Sequence, residues 1–276
     1  MQNLSLIMAV LMVFFISVVN CSSVFAEARD DLLDAACSGR GRTEKVELWF
    51  ENNADKISEK GSKSLFTAKD KDGWTALICA AANNDHKYAK LLIKAGAEVN
   101  VKDNLGWTPL MYAADVKLGV EMVSLLLDNG ADPNIRNNDG DTPLIRAVSG
   151  NYNATSRLAT IKLLVEKGAD IHATDPSGRS VLIRAVVNGN SEIVSYLLNK
   201  GAKLESVDQE GLTPLMWAAT KGNLEIVKLL LAKGADMSKK SKEGKTALNY
   251  AMADGHIKIT ALLTEKLEEQ EAKQKE

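Results

Sequence analysis

The sequence predicts an all-α fold, a solenoid made by stacking one short helix-turn-helix unit, and three observations predict it. The first is a glycine followed by one variable residue and a Thr-Pro-Leu-like triplet. It recurs at Gly73, Gly106, Gly140, Gly178, Gly211 and Gly244, at spacings of 33, 34, 38, 33 and 33 residues that mark one repeated unit. The second is a Gly-Ala series at Gly96, Gly130, Gly168, Gly201 and Gly234, which advances by 34, 38, 33 and 33 residues and so keeps the same register. The third is composition: aromatic residues are 5% of the chain while Ala, Leu and Gly abound, which suits closely approaching helices better than a sheet sandwich.

The chain has 276 residues, 45% hydrophobic and 25% charged, enough to build a core. Lys and Arg total 34 against 36 Asp and Glu, so no net field favours nucleic acid or an anionic membrane. Residues Leu4 to Val19 form an apolar run broken only by Ser5 and Ser17, with no Lys or Arg before Arg29. This reads as a signal peptide over 1–26, cleaved after Val24-Phe25-Ala26. Two alternatives also take the chain out of the cytosol: an uncleaved membrane anchor, and acylation of Cys21, since Val18-Val19-Asn20-Cys21 is similar to a bacterial lipoprotein box with Asn20 off-pattern.

Residues 27–69 follow as a degenerate N-terminal capping repeat. Six units then occupy 70–264, at about 70–102, 103–136, 137–174, 175–207, 208–240 and 241–264. A charged tail covers 265–276, read as a solvated helix extension. One unit shows the local logic. Thr213 caps a helix whose first position accepts Pro214, because the missing amide hydrogen would be unpaired there. Leu215, Ala218 and Ala219 share a face, and Gly222 ends the helix. Ile226, Val227, Leu229 and Leu230 form the stripe of a second helix that Gly234 terminates. Such a pair cannot cover its own apolar face, so neighbours must cover it. The third unit is longer by about five residues, and Ser149 to Thr155 is expected to protrude as a polar loop.

Asp103 to Ala114, DNLGWTPLMYAA, and Glu210 to Asp236, EGLTPLMWAATKGNLEIVKLLLAKGAD, resemble the ankyrin repeat throughout. The resemblance covers nearly all of the chain after the N-terminal segment. It implies a non-enzymatic protein-binding scaffold, monomeric, with no cofactor, docking its partner through turn tips and a concave first-helix face. With the N-terminal segment, the expectation is an exported bacterial adaptor, periplasmic or secreted, with no membrane insertion after cleavage; a secreted effector of a host protein is the runner-up. The His that usually follows Thr-Pro-Leu is replaced by Ile78, Met111, Ile145, Ile183, Met216 and Asn249, so its polar tie to the turn is expected to be lost.

Catalysis finds no local constellation. His86, His172 and His256 lie in different units without Cys or carboxylate at metal-ligand spacing, and no phosphate loop or nucleophile elbow is present. Cys37 and Cys79 sit in first-helix positions of successive units and are expected to be free thiols.

Two rows of residues are candidates for partner contact. The tip position after the unit glycine holds Trp74, Trp107, Asp141, Arg179, Leu212 and Lys245, with Leu105 just before Gly106. Trp74 and Trp107 lead this row, since Trp is enriched where interfaces concentrate their energy; packing of one tip on its neighbour is the competing role. Two residues beyond the helix-start Leu stand Cys79, Tyr112, Arg146, Arg184, Trp217 and Tyr250. Bracing of one repeat on the next is favoured for this row as a whole, and recognition for Arg146 and Arg184. Trp217 remains a candidate contact.

Overall fold

The computed structural model describes residues 66–115, 119–150 and 154–275, together with Leu32 and Asn52. The proposed signal peptide, Cys21 and most of the degenerate repeat lie outside the described residues. Twelve helices are found among the described residues, in pairs. The first helices are α1 (Ala76–Ala82), α3 (Pro109–Asp115), α5 (Pro143–Ser149), α7 (Val181–Val187), α9 (Pro214–Thr220) and α11 (Ala247–Ala253). The second helices are α2 (His86–Lys94), α4 (Val120–Asp128), α6 (Ala154–Glu166), α8 (Ser191–Asn199), α10 (Leu224–Ala232) and α12 (Ile257–Lys275). The last of these runs on through the charged tail.

Each first helix begins the same way for the same reason. Thr75, Thr108, Thr142, Ser180, Thr213 and Thr246 accept, through their hydroxyl oxygens, the backbone N–H three residues on, at 3.2–3.4 Å. An otherwise orphaned helix donor is thereby satisfied. First helices stack on first helices from α1 to α11, and each unit packs its own pair together. The core is a set of vertical rows. Leu92, Leu126, Leu164, Leu197, Leu230 and Leu263 are one position repeated, each at most 1% exposed. The parallel row Ala80, Ala113, Ala147, Ala185, Ala218 and Ala251 is equally buried, and its small side chains allow first helices to approach closely.

The expected loop at 149–155 is shorter than its sequence suggests. Ala154 and Thr155 already belong to α6, which has 13 residues where α2, α4, α8 and α10 have nine, so part of the insertion lengthens a helix. Residues 151–153 lie outside the described residues.

Three kinds of hydrogen bond tie the turn edge from unit to unit. At the tips, the backbone N–H of Asn104, Asn138, Gln209 and Lys242 donates to Asp72, Leu105, Ser177 and Glu210 carbonyls. Gly73 permits this approach: a Cβ there would lie 2.5 Å from Asn104 Oδ1, at a φ of +83°. Further back, Asn100 bridges Gly130 O and Asp132 N–H, Asn134 bridges Gly168 O and Asp170 N–H, and Glu205 Oε1 accepts from Asp236 N–H. Lastly, Lys69, Lys102 and Arg136 reach the carbonyls of Lys102, Arg136 and Thr174.

All three are missing at one junction, between the unit ending at 174 and the unit ending at 207. Pro176 occupies the tip position and has no N–H. His172 stands where Asn100 and Asn134 stand, and Thr174 where the long cations stand. On the opposite side, α6, α8 and α10 line a groove of about 660 Å³, and α6 and α8 make little direct contact. The junction is carried by α5 against α7, with Asn188 Nδ2 donating to Val148 O at 2.6 Å.

The amide of Lys203 is therefore expected to exchange its hydrogen faster than the equivalent amides of Asp132, Asp170 and Asp236, measured by NMR exchange. His172→Asn restores the missing bridge and is expected to raise stability by about 0.5–1.5 kcal/mol, read as an increased denaturation midpoint.

Candidate partner-binding face

The candidate residues are positioned by the residue that heads each turn, three places before the unit glycine. Oδ1 of Asp70, Asp103, Asp175 and Asp208 accepts the backbone N–H two and four residues on, at 2.8–3.0 Å, and Asn137 Oδ1 accepts from Asp141 N–H at 2.8 Å. This closes the tip as an Asx turn. The residue nine positions later, on the first helix, then meets the same head. Tyr112 OH donates to Asp103 Oδ2 at 2.6 Å and Trp217 Nε1 to Asp208 Oδ2 at 2.8 Å. Arg184 Nε lies 2.6 Å from Asp175 Oδ2, and the hydroxyls of Tyr250 and Ser241 are 2.9 Å apart. At the replaced His position a polar tie persists at Asn249, whose Oδ1 accepts from Thr246 N–H at 2.9 Å, while the Ile side chains make none; the tie to the turn head is a separate one, made one residue further along the helix. The heads carry no motif of their own in the sequence, although their period is visible as Asp70, Asp103, Asn137, Asp175, Asp208 and Ser241.

Trp74, Trp107 and Leu212 are half-buried rather than free tips, and Leu105, at 62% exposed, is the large apolar tip residue that reaches solvent. Trp74 and Tyr112 have ring centroids 4.8 Å apart, and Tyr112 and Trp107 are 5.0 Å apart. Arg146 lies over the Trp107 ring, its Cζ 4.4 Å from the centroid. Four side chains from three units therefore make one continuous aromatic and cationic stack, joined by tilted ring contacts and a cation-π contact.

The remaining candidates form a charged network beside it. Arg146 pairs with Asp115 at 3.2 Å and with Asp141 at 3.5 Å. Asp141 is not the exposed tip residue expected of its position: it is 7% exposed, beneath Arg146, and its Oδ1 has no hydrogen-bond partner. Burial pushes its carboxyl above the ordinary range, although Arg146 and Arg184 pull it down. Arg179 and Arg184 share Asp175, whose side chain is fully buried while each arginine side chain keeps about a quarter of its surface in solvent. Arg146 and Arg184 are thus held internally and offer their outer edges.

Cys79 is disulfide-bonded, which corrects the expectation of a free thiol. The other two cysteines, Cys21 and Cys37, lie outside the described residues. Spacing along the chain could not have shown the pairing, because a disulfide depends on Cα atoms approaching within about 7 Å.

No group of three or more His, Cys, Asp or Glu that could hold a metal ion occurs among the described residues. His256 instead packs across Gly222, its Nε2 3.0 Å from Thr220 O. No helix among the described residues is long and apolar enough to cross a membrane.

Stacked helical pairs with capped Thr-Pro-Leu starts and Asx-closed tips define a repeat scaffold of the protein-binding class. The chain belongs to the ankyrin-repeat family, whose pattern matches residues 32–137, 154–241 and 200–275, with a second ankyrin pattern over 119–156. Ankyrin repeats are typically non-enzymatic, and no catalytic family was found for the chain. Among curated proteins it is similar to protein phosphatase 1 regulatory subunit 12A of Mus musculus and of Rattus norvegicus, 57% identical over 44 residues, which is 16% of this chain and 4% of each relative. It is also similar to fibronectin type 3 and ankyrin repeat domains 1 protein of Mus musculus, 55% identical over 42 residues, 15% of this chain and 12% of that protein. The likeness spans little more than one repeat of proteins far longer than the matched segment.

Tyr112→Phe is expected to cost about 0.5–1.5 kcal/mol of stability, and Asp103→Ala about 2–3 kcal/mol because turn closure is lost as well; chemical denaturation measures both. Burial, reinforced by the bond to Asp103, pushes the Tyr112 phenol well above its usual value. The raised value favours the folded state below pH 10, and that contribution disappears as pH climbs through the folded-state value. The wild type is therefore expected to lose more stability than Tyr112→Phe on going from pH 9 to strongly alkaline solution.

Proposed function

We propose that the protein is an exported adaptor, acting in the periplasm or outside the cell, that holds a protein partner on its first-helix face around Trp74, Tyr112, Trp107 and Arg146. The observation that carries this reading is the half-exposed stack itself. Trp and Tyr bury large area with few rotamers and Arg brings a planar, multiply donating head, and here these side chains are already immobilised by one another and by Asp103. Binding therefore costs little further ordering. Leu105 extends the same surface toward the tip, and Arg179, Arg184 and Trp217 extend it along the stack.

Two observations support export: the apolar run from Leu4 to Val19 and the disulfide at Cys79, a bond that persists in oxidising compartments. Cleavage after Ala26 removes Cys21 and leaves Cys37 to pair with Cys79.

Trp107→Ala is expected to weaken capture of the partner by roughly tenfold or more while the protein stays folded. Trp74→Ala is expected to weaken capture and also to cost about 1–2 kcal/mol, because Trp74 packs on the core. The assay is crosslinked pull-down from the exported fraction; unchanged recovery of an enriched partner by Trp107→Ala rejects this face. A non-reducing peptide map of the same sample is expected to show an N-terminus at Glu27 and a Cys37–Cys79 linked peptide. A retained Met1 segment, or a Cys21–Cys79 peptide, rejects cleavage.

A further inference from the structure

We infer that the cavity at the junction between the third and fourth units is a binding site for a lysine or arginine side chain supplied by a partner protein. Along the turn edge, a cation from each of three successive positions reaches the next unit's carbonyl: Lys69 Nζ to Lys102 O at 2.8 Å, Lys102 Nζ to Arg136 O at 2.8 Å, and Arg136 Nη1 to Thr174 O at 2.7 Å. At the next position the residue is Thr174, whose side chain is too short to continue the series. The equivalent acceptor is the carbonyl of Val207, and no donor among the described residues is bonded to it. Thr174 and Val207 both line a cavity of about 180 Å³ at this place.

The walls of the cavity fit the missing side chain in chemistry as well as position. Ile171, Leu182 and Val207 give it an apolar side against which an alkyl stem packs. Ser180 and Ser206, their hydroxyls 2.8 Å apart, add further acceptor oxygens to the lining. Its volume is that of roughly six waters at ~30 Å³ each, room for an alkyl chain with a cationic head. Lys203 and His172 also line it. A like-charged neighbour is already the pattern of this edge, where Lys102 bonds to the backbone of Arg136 while the Arg136 side chain bonds one unit further on. Those two residues donate to carbonyls without ion pairing in the same bonds, so the edge recognises cations through backbone dipoles. The other two ties are also missing at this junction, which leaves its edge accessible to an incoming segment.

The occupant rests on the protein-binding reading above, but the preference of the cavity for a cation is measured without any partner. The full mature chain, labelled with nitrogen-15, is titrated at constant ionic strength with n-butylammonium and n-propylguanidinium chlorides, and with n-butanol and sodium acetate as comparisons. The two cations are expected to give saturable amide shifts centred on Ser206, Val207 and Asp208, with dissociation constants on the order of millimolar. Thr174→Arg supplies the absent rung from within the chain and is expected to weaken the probe at least tenfold; Thr174→Val keeps the cavity and is expected to retain it. Thr174→Lys serves in place of Thr174→Arg if the larger side chain prevents folding, judged by circular dichroism. No saturable shift, equal shifts with n-butanol, stronger shifts with acetate, or undiminished binding by Thr174→Arg and Thr174→Lys would each overturn the assignment. Failure of Trp107→Ala to affect partner capture would overturn the first-helix face and leave this titration unaltered.

Discussion

A helical pair of seven and nine residues has an apolar side that it cannot cover alone, and every feature of this protein follows from having to borrow that cover from the next pair. The leucine row from Leu92 to Leu263 and the alanine row from Ala80 to Ala251 are buried because neighbouring units stack on one another, the last members, Leu263 and Ala251, being covered by a unit on one side only. Register is therefore strict: a residue added within a helix face would displace its row from those above and below. The longer third unit obeys this constraint by placing its extra residues between helices and at the start of α6, where they leave Leu164 in line.

The same stacking explains why the candidate binding residues are also structural. A turn-head carboxylate has two oxygens; one closes the tip and the other receives a side chain from the first helix. Tyr112, Arg184 and Trp217 are thus anchored at one end and exposed at the other. Bracing and recognition, which look like competing roles for such residues, are here two ends of one side chain. A surface prepared in this way has lost most of its rotamer freedom before any partner arrives.

Against so regular a background, departures carry information. Pro176, His172 and Thr174 each break a different tie, and all three fall at one junction, beside the unit that carries the insertion. Apolar packing of α5 on α7 holds that junction while its edge stays open. In a quasi-one-dimensional array, losing ties at one interface weakens the coupling between the three described units before it and the three after it without altering the interior of either block.

The sequence by itself determined the unit, its length, its caps and the family. Those features are local: a Thr hydroxyl reaches an amide three residues away, and helical spacing places Leu215 near Ala218 whatever the remainder of the chain does. Even the turn heads were legible as a period of Asp, Asn and Ser. Only the tertiary structure decided which surfaces those units present. The contacts of Trp74 with Tyr112, of Trp107 with Arg146 and of Arg146 with Asp115 join residues that are neighbours only once units are stacked, and spacing along the chain does not show that Cys79 is disulfide-bonded. Whether an edge side chain finds its carbonyl depends on a partner some 33 residues away, and periodicity alone does not say which rungs are filled.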